Sequence, residues 1–172
     1  MQEESLEYDQ RDVEGVVDVG IVVPSCFENP LKEESVNFLQ DVLLGRKKAI
    51  LPVSAVIGTY HIVTSYLGVS RVSAKSVLSE LLKTRSEALY PEIGTDLASA
   101  ALDYAAMYGI ESWDGYLVAL ARKFGAKVVF SMDEELGESL KRKKEAGFPV
   151  VVNPFATRKV GEYHKFLEKK KV

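Results

Sequence analysis

The sequence predicts an α/β protein in which a mostly parallel central sheet lies between two layers of helices, a three-layer α/β/α fold. Short apolar runs rich in β-branched residues alternate with longer stretches whose apolar residues recur at helical spacing. Several of these longer stretches end at a glycine, a common helix stop. Strands that alternate with helices form parallel sheets covered on both faces. With 172 residues, the chain is long enough to bury the core of one domain.

In the first half of the chain, a short apolar run at 16–19 predicts the first strand, and the apolar residues after it enter a short helix or turn. An amphipathic stretch at 33–44 predicts a helix that Gly45 ends. A buried strand follows at 49–52. The helix predicted at 53–66 is rich in β-branched residues, so burial has to offset their weak helix propensity.

In the second half, the helix starts at Ser70 or Ser73 and runs to about Thr84, followed by a short strand at 88–90. The helix at 95–108 has small residues that permit close packing. The next helix starts at Ser112, a good N-cap, and ends before Gly125. The remaining predicted elements are a buried strand at 127–130, a helix at 134–145 and a last strand at 150–152.

The two ends of the chain have opposite charge. Residues 1–14 are acidic, and we expect a mobile or loosely packed leader. Residues 156–172 are basic, and we expect a solvated tail with at most a short helix; the alternative is a tail that contacts phosphate or a partner. The folded domain is therefore expected at 15–155.

Composition excludes several classes of protein. The net charge of −3 excludes an overall basic footprint for nucleic acid, so any such contact is local. The one cysteine, Cys26, cannot form an intrachain disulfide, which suits a reducing cytoplasm, and we expect it to pack as a small apolar residue. No apolar run approaches the roughly 20 residues that cross a bilayer. The acidic start does not resemble a signal peptide.

Three aspartates follow or precede elements that meet at one edge of the predicted sheet. Asp18 ends the first strand, Asp133 comes just after the strand at 127–130, and Asp114 lies in the first turn of a helix. Taken singly, each position is ordinary, since an acidic residue in a first turn complements the helix dipole and Asp133 can cap the next helix. If the two strands are parallel neighbours, however, all three reach one crevice at the carboxyl ends of the strands.

Carboxylates that converge without basic partners repel one another, and a divalent cation with oxygen ligands relieves that repulsion. We therefore expect a site for Mg²⁺ or Mn²⁺. Such an ion lowers the pKa of a bound water and offsets charge on a phosphate undergoing hydrolysis. No nucleotide-binding glycine motif or nucleophilic serine motif occurs, and two histidines with one cysteine cannot form a usual zinc site.

Four features of the sequence together resemble a PIN domain. They are the early strand ending in Asp18, the Trp113–Asp114–Gly115–Tyr116 motif with Leu-Val-Ala-Leu-Ala after it, the Gly-Ala-Lys-Val-Val-Phe strand and the Ser131-x-Asp133 motif. PIN domains are the nuclease fold of VapC-like toxins and of several RNA-processing enzymes. The resemblance covers roughly residues 15–155.

The resemblance implies that Asp18, Asp114 and Asp133 hold Mg²⁺ or Mn²⁺ and that a metal-activated water hydrolyses RNA phosphodiester bonds. Ser131 stands where the family often has Thr or Ser to hydrogen-bond a ligand. Glu135 and its neighbours Glu134 and Glu138 are near enough to supply a fourth carboxylate, although solvated helix residues are the first expectation. The family also implies a homodimer, formed by helices near the N-terminal half, and an antitoxin partner if the protein is a toxin.

Two departures from the family pattern bear on activity. The family usually has a Glu in the helix after the second strand, where this chain has Gly58, and no acid occurs from Leu51 to Ser79. The first motif usually continues with polar residues, whereas Val19 and Gly20 follow Asp18. His61, one turn after Gly58, is a candidate to substitute through a water, with a packed or surface histidine as the ordinary alternative.

Three functions stay open at this point. The leading hypothesis is a metal-dependent endoribonuclease. The second is a degenerate PIN domain that binds RNA or a protein without cutting, and it predicts aspartates paired with Lys or Arg. The third is an unrelated small-molecule protein, which requires a deep apolar pocket beside the same strands.

Overall fold

A computed structural model of the protein describes residues 12–91, 93–143 and 147–170. Most of the predicted leader, the end of the predicted 134–145 helix and the last two residues of the predicted tail lie outside these ranges. In chain order, the elements are β1 (Gly15–Val17), α1 (Val19–Val22), a 3₁₀ helix (Val23–Cys26), α2 (Lys32–Leu43), β2 (Ala49–Pro52), α3 (Val53–Ser65), α4 (Arg71–Lys83), β3 (Leu89–Tyr90), α5 (Thr95–Tyr108), α6 (Ser112–Lys123), β4 (Val128–Phe130), α7 (Glu134–Lys143), β5 (Val150–Val152) and α8 (Thr157–Lys170).

The described strands form one parallel sheet in the order β3-β2-β1-β4-β5. The chain builds the sheet outward from β1 through β2 to β3, and then returns to the other side of β1 to place β4 and β5. The strand order therefore reverses between β1 and β4, whose register pairs Val17 with Phe130. The prediction that the two strands leading to Asp18 and Asp133 are parallel neighbours is confirmed.

Two apolar cores lie on the two faces of the sheet, because successive strand residues point to opposite faces. Val17, Leu51 and Phe130 face one core, which α2, α3, α4 and α8 cover. Val16, Ile50 and Val129 face the other core, under α5, α6 and α7. The predicted three-layer α/β/α fold is confirmed.

The boundaries at the carboxyl ends of the strands differ from the predicted ones. Val19 belongs to α1, because Asp18 has the extended backbone of a helix N-cap, with φ −79° and ψ 154°. Ser112 is the first residue of α6 and the N-cap is Glu111. The Asp114 carboxylate accepts a hydrogen bond from the Glu111 backbone, which is one half of a capping box. Gly125 has φ +64°, as predicted for the residue that ends this helix.

The C-terminal segment is a 14-residue helix, longer than predicted. Val160 and Tyr163 of α8 are buried in the core beside α2, and burial raises the pKa of Tyr163 to about 12. This helix is therefore not simply a solvated tail. Cys26 is buried, as predicted. Among the described residues, no helix combines the length and the apolar character that a membrane span requires.

Candidate functional site

The candidate site lies at the carboxyl edge of the sheet, where the strand order reverses between β1 and β4. In open parallel sheets such a reversal leaves a crevice, because the connections from the two strands leave in opposite directions. Asp18 follows β1 and Ser131 follows β4, so the register of these two strands sets one beside the other. The backbone N–H of Asp18 donates to the Phe130 carbonyl at 3.0 Å, which continues the strand pairing by one residue.

Ser131 joins two of the predicted carboxylate residues. Its hydroxyl donates to Asp18 Oδ2 at 2.6 Å and accepts the Asp133 backbone N–H at 3.0 Å. Ser131 is 1% exposed and Asp18 is 8% exposed, so this hydrogen bond is shielded from water. Ser131 therefore contacts Asp18, one of the predicted ligands, and its supporting role stays a prediction.

Asp133 lies at the start of α7, where it has the capping role that the sequence also allowed. Its Oδ1 accepts the Leu136 backbone N–H at 2.9 Å, which satisfies one free donor of the helix end. The residue is exposed overall, and its second carboxylate oxygen is not needed for this bond. The cap therefore holds the side chain in place through Oδ1 and does not use Oδ2.

Burial and the neighbouring carboxylates disfavour charge in the crevice. Desolvation raises the pKa of Asp18, and the Asp133 carboxylate adds to the effect, while hydrogen bonds from Ser131, Val19 and Gly20 oppose it. Desolvation also raises the pKa of Asp114, to about 7, with further contributions from Asp133, Asp18 and Glu111. The charges of Asp18 and Asp133 therefore both act on the pKa of Asp114.

In the part of the chain that the structure describes, no ion pair with a basic side chain relieves this repulsion. Within the described ranges, no ion pair joins Asp18, Asp114 or Asp133 to a lysine or arginine; the pairs that occur lie elsewhere on the surface, as between Lys48 and Asp12. Ion-paired aspartates were the feature expected of a non-cleaving module. Their absence from the described residues leaves the carboxylates available to an external cation.

The three side chains do not form a compact metal cage as they stand. Over the described part of the chain, no group of three or more Asp, Glu, His and Cys side chains is placed to hold a metal ion. The donor chemistry nevertheless fits a hard divalent cation, since all three residues offer carboxylate oxygens. To hold one ion together, the three carboxylates would have to adopt a closer arrangement than the one described.

The other two supporting residues proposed from the sequence, His61 and Glu135, are exposed side chains. His61 is exposed on α3, where its Nδ1 is 3.3 Å from Ser65 Oγ and its ring meets Tyr66 edge-on. Glu135 is exposed in the first turn of α7. The carboxylate that sequence reasoning missed is Glu111, which helps to raise the pKa of Asp114. Its position three residues before Asp114, at a helix start, is the signal that could have found it.

Gly58 leaves space beside the crevice. A Cβ atom at this position would contact only Val19 Cγ2, at 3.6 Å, so no bulky neighbour takes the place of the missing acid. An open depression of about 530 Å³ lies at the amino edge of the sheet instead, lined in part by Leu43, Ala49 and Ala88. Its position does not match the pocket expected of a small-molecule protein, which would lie beside the carboxylates.

Comparison with known proteins shows the fold. No family model matches the sequence, and no curated protein matches it. Among solved structures, the chain is similar to the crystal structure of PAE2754 from Pyrobaculum aerophilum, with 15% sequence identity, a TM-score of 0.56 and 99% of each chain covered. A likeness over almost the whole of both chains supports a common architecture, although at this identity it carries no information on activity.

Proposed function

We propose that this protein is a metal-dependent endoribonuclease of the PIN-domain type, which hydrolyses RNA phosphodiester bonds. The observation that carries the proposal is the convergence of Asp18, Asp114 and Asp133 at the point where the strand order reverses, without a lysine or arginine partner among the described residues. A partly buried acidic crevice without a described basic partner favours a cation, and Mg²⁺ or Mn²⁺ has the preference for oxygen ligands that matches this donor set.

Asp18, Asp114 and Asp133 would hold the cation. When bound, the ion would lower the pKa of a coordinated water and offset the negative charge of a phosphate. Ser131 keeps Asp18 oriented through its 2.6 Å hydrogen bond and keeps Asp133 beside it through the 3.0 Å backbone bond. The burial of Asp18 shields this carboxylate from water, which strengthens the electrostatic interactions that it makes.

A second candidate is a PIN-like module that binds RNA or a protein partner without cutting. Two observations favour it: Gly58 lies where the family has an acid, and the described residues contain no ready-made group of three ligands. Fewer negative ligands lower the affinity for a cation. We rank this function second because no lysine or arginine of the described ranges pairs with Asp18, Asp114 or Asp133, as a purely structural cluster would require.

The test is cleavage of a mixed, end-labelled RNA pool with Mn²⁺, Mg²⁺ or a chelator. Wild type is compared with Asp114→Asn and with Asp103→Asn, an exposed aspartate of α5 that serves as the matched control. We expect metal-dependent cleavage that falls about 100-fold or more in Asp114→Asn and is unchanged in Asp103→Asn. Equal RNA patterns in every lane, with the wild type shown to be folded, would favour the non-cleaving module.

A further inference from the structure

The amino edge of the sheet, opposite the carboxylate crevice, is rich in basic side chains. A helix that connects parallel strands runs back from the carboxyl edge to the amino edge, and cations in its last turn complement the helix dipole. The last turns of α6 and α7 hold Arg122, Lys123, Lys141, Arg142 and Lys143. Lys47, Lys48 and Lys127 lie at the same edge, because they come just before β2 and β4. The orientation of the helices thus separates charge across the sheet.

The open depression of about 530 Å³ at this edge has an apolar floor and a basic rim, and we call it the amino-edge depression. Its floor consists of buried side chains, among them Val42, Ala49 and Ile50. Its rim carries three cations, Lys47, Lys48 and Arg85. The turn that holds Arg85 is tied to the end of α2, because Ser86 Oγ donates to the Leu43 carbonyl at 2.6 Å.

The described carboxylates neutralise only part of this rim. The acidic side chains of the described lining are Asp12 and Glu87, and Asp12 pairs with Lys48. Over the described ranges, no ion pair joins Lys47 or Arg85 to a carboxylate. Lys47 instead has its ammonium over an aromatic ring, 5.0 Å from the centroid of Phe130. The amino-edge depression therefore combines excess positive charge with apolar surface.

An acidic stretch of the same chain reaches the fold at this place. Asp12 is the first described residue, and it lines the amino-edge depression. Residues 1–11 contain four acidic residues and one arginine, with Leu6 and Tyr8 among them. Eleven residues span at most about 36 Å when extended, so a stretch of this length is long enough to cross the depression from Asp12.

We propose that the amino-edge depression binds residues 1–11 of its own chain. Acidic side chains of this stretch match the cations of the rim, and Leu6 and Tyr8 match the apolar floor. The tether at Asp12 gives the stretch an effective concentration on the order of millimolar, so that weak contacts are enough for occupancy. The bound stretch shields the cations of this edge from other anions. The inference does not depend on the proposed nuclease activity.

The experiment maps which residues the acidic stretch approaches in the full chain. Ser5→Cys carries a nitroxide, and the loss of backbone amide signals by paramagnetic broadening is recorded without RNA or metal. Wild type, whose Cys26 is buried, is the labelling control. We expect signals to be lost at residues 44–48 and 85–88 and kept at residues 131–133. In about 1 M salt the signals should return, because the Debye length falls to about 3 Å.

Two sets of charge variants, added to Ser5→Cys, make the test specific. Lys47→Glu/Arg85→Glu should restore the lost signals. Lys165→Glu/Lys169→Glu, the same charge change on the exposed face of α8, is the matched control and should leave the broadening in place. Replacing the acids of residues 1–11 by Gln or Asn should also restore the signals, and this variant leaves the folded domain untouched. Thermal unfolding confirms that each variant is folded.

Broadening that spreads evenly over both edges of the sheet, or that persists in both the rim variant and the neutralised variant, would overturn the proposal. A mixture of nitroxide-labelled protein and isotope-labelled protein without nitroxide identifies the chain that supplies the stretch. Loss of signal at residues 44–48 in this mixture would assign the depression to a second copy and overturn the contact within one chain. Intact signals in the mixture, with losses in the doubly labelled protein, support it.

Discussion

Asp114 lies where burial and three other carboxylates act on one titratable group. The pKa of Asp114 is about 7 in the folded chain, and an unfolded Asp has a pKa of about 3.9. Below about pH 4 the group is protonated in both states and has no effect on stability. Between these two pKa values the folded state binds more protons than the unfolded state, so the free energy of unfolding falls as the pH rises. Above pH 7 Asp114 is charged in both states, and its destabilisation of the folded state has reached its full value.

Asp114→Asn should therefore stabilise the metal-free protein at high pH. Asparagine keeps an acceptor for the Glu111 backbone and removes the charge. We expect a gain on the order of 1–2 kcal/mol at pH 8, reduced for the solvent that reaches this half-buried carboxylate, or about 2–4 °C in Tm per kcal/mol. The measurement is thermal unfolding with chelator at pH 4, 6 and 8. If the difference in Tm between Asp114→Asn and wild type stayed constant from pH 4 to pH 8, burial and the neighbouring carboxylates would not destabilise the charged form of Asp114.

The site residues were predictable to different degrees. Asp18, Asp114, Asp133 and Ser131 were found because each sits next to a strand or helix end that the apolar pattern marks. The contribution of Glu111 was missed because its effect depends on where the first turn of α6 lies. His61 and Glu135 are both exposed, and their supporting roles stay predictions.

At the scale of elements, the position of Asp114 depends on how closely α5 and α6 pack. Gly115 lies at their contact, where a Cβ atom would come 2.1 Å from the Ala101 carbonyl oxygen. Backbone cannot yield as a flexible side chain does, so any larger residue has to push the helices apart. The adjacent Asp114 moves with α6. The close packing of α5 and α6 at Gly115 thus determines how deeply Asp114 is buried in the crevice.

Gly115→Ala should lower the free energy of unfolding by about 1–3 kcal/mol, the usual cost of overpacking. The matched control is Gly161→Ala in α8, where open space lets alanine stabilise the helix by up to about 1 kcal/mol. Chemical denaturation of both variants measures the two changes. If Gly115→Ala were as stable as wild type, the close approach of α5 and α6 would not be a constraint on the fold.

The type of each element was predictable because the apolar residues of the strands and helices have clear periodicity. The first and last residues of the elements were less predictable. The bounds of β2 and α5 match the prediction, since a proline and a glycine mark their ends. The start of α6 was misplaced by one residue because Glu111 and Ser112 are both plausible at a helix start. The length of α8 was underestimated because its many lysines hide a narrow apolar face, Val160, Tyr163 and Leu167, that packs on the core.

At the scale of the whole molecule, a protein of net charge −3 gathers carboxylates at the carboxyl edge of its sheet. This crevice would repel RNA unless a cation first neutralises it. We therefore propose that metal binding by the three aspartates precedes RNA binding. This proposal rests on the arrangement of β1, β4 and α6, which brings the elements that carry the three aspartates to one edge of the sheet.

The most direct measurement of this claim is Mn²⁺ binding to the folded protein by isothermal titration calorimetry at pH 7.5. Asp18→Asn, Asp114→Asn and Asp133→Asn are compared with wild type and with the exposed control Asp103→Asn. We predict saturable binding by wild type, at least tenfold weaker binding by each of the three variants, and an unchanged affinity for Asp103→Asn. Wild-type protein that binds no Mn²⁺, or that binds it equally after all three substitutions, would contradict the claim that these carboxylates form one metal site.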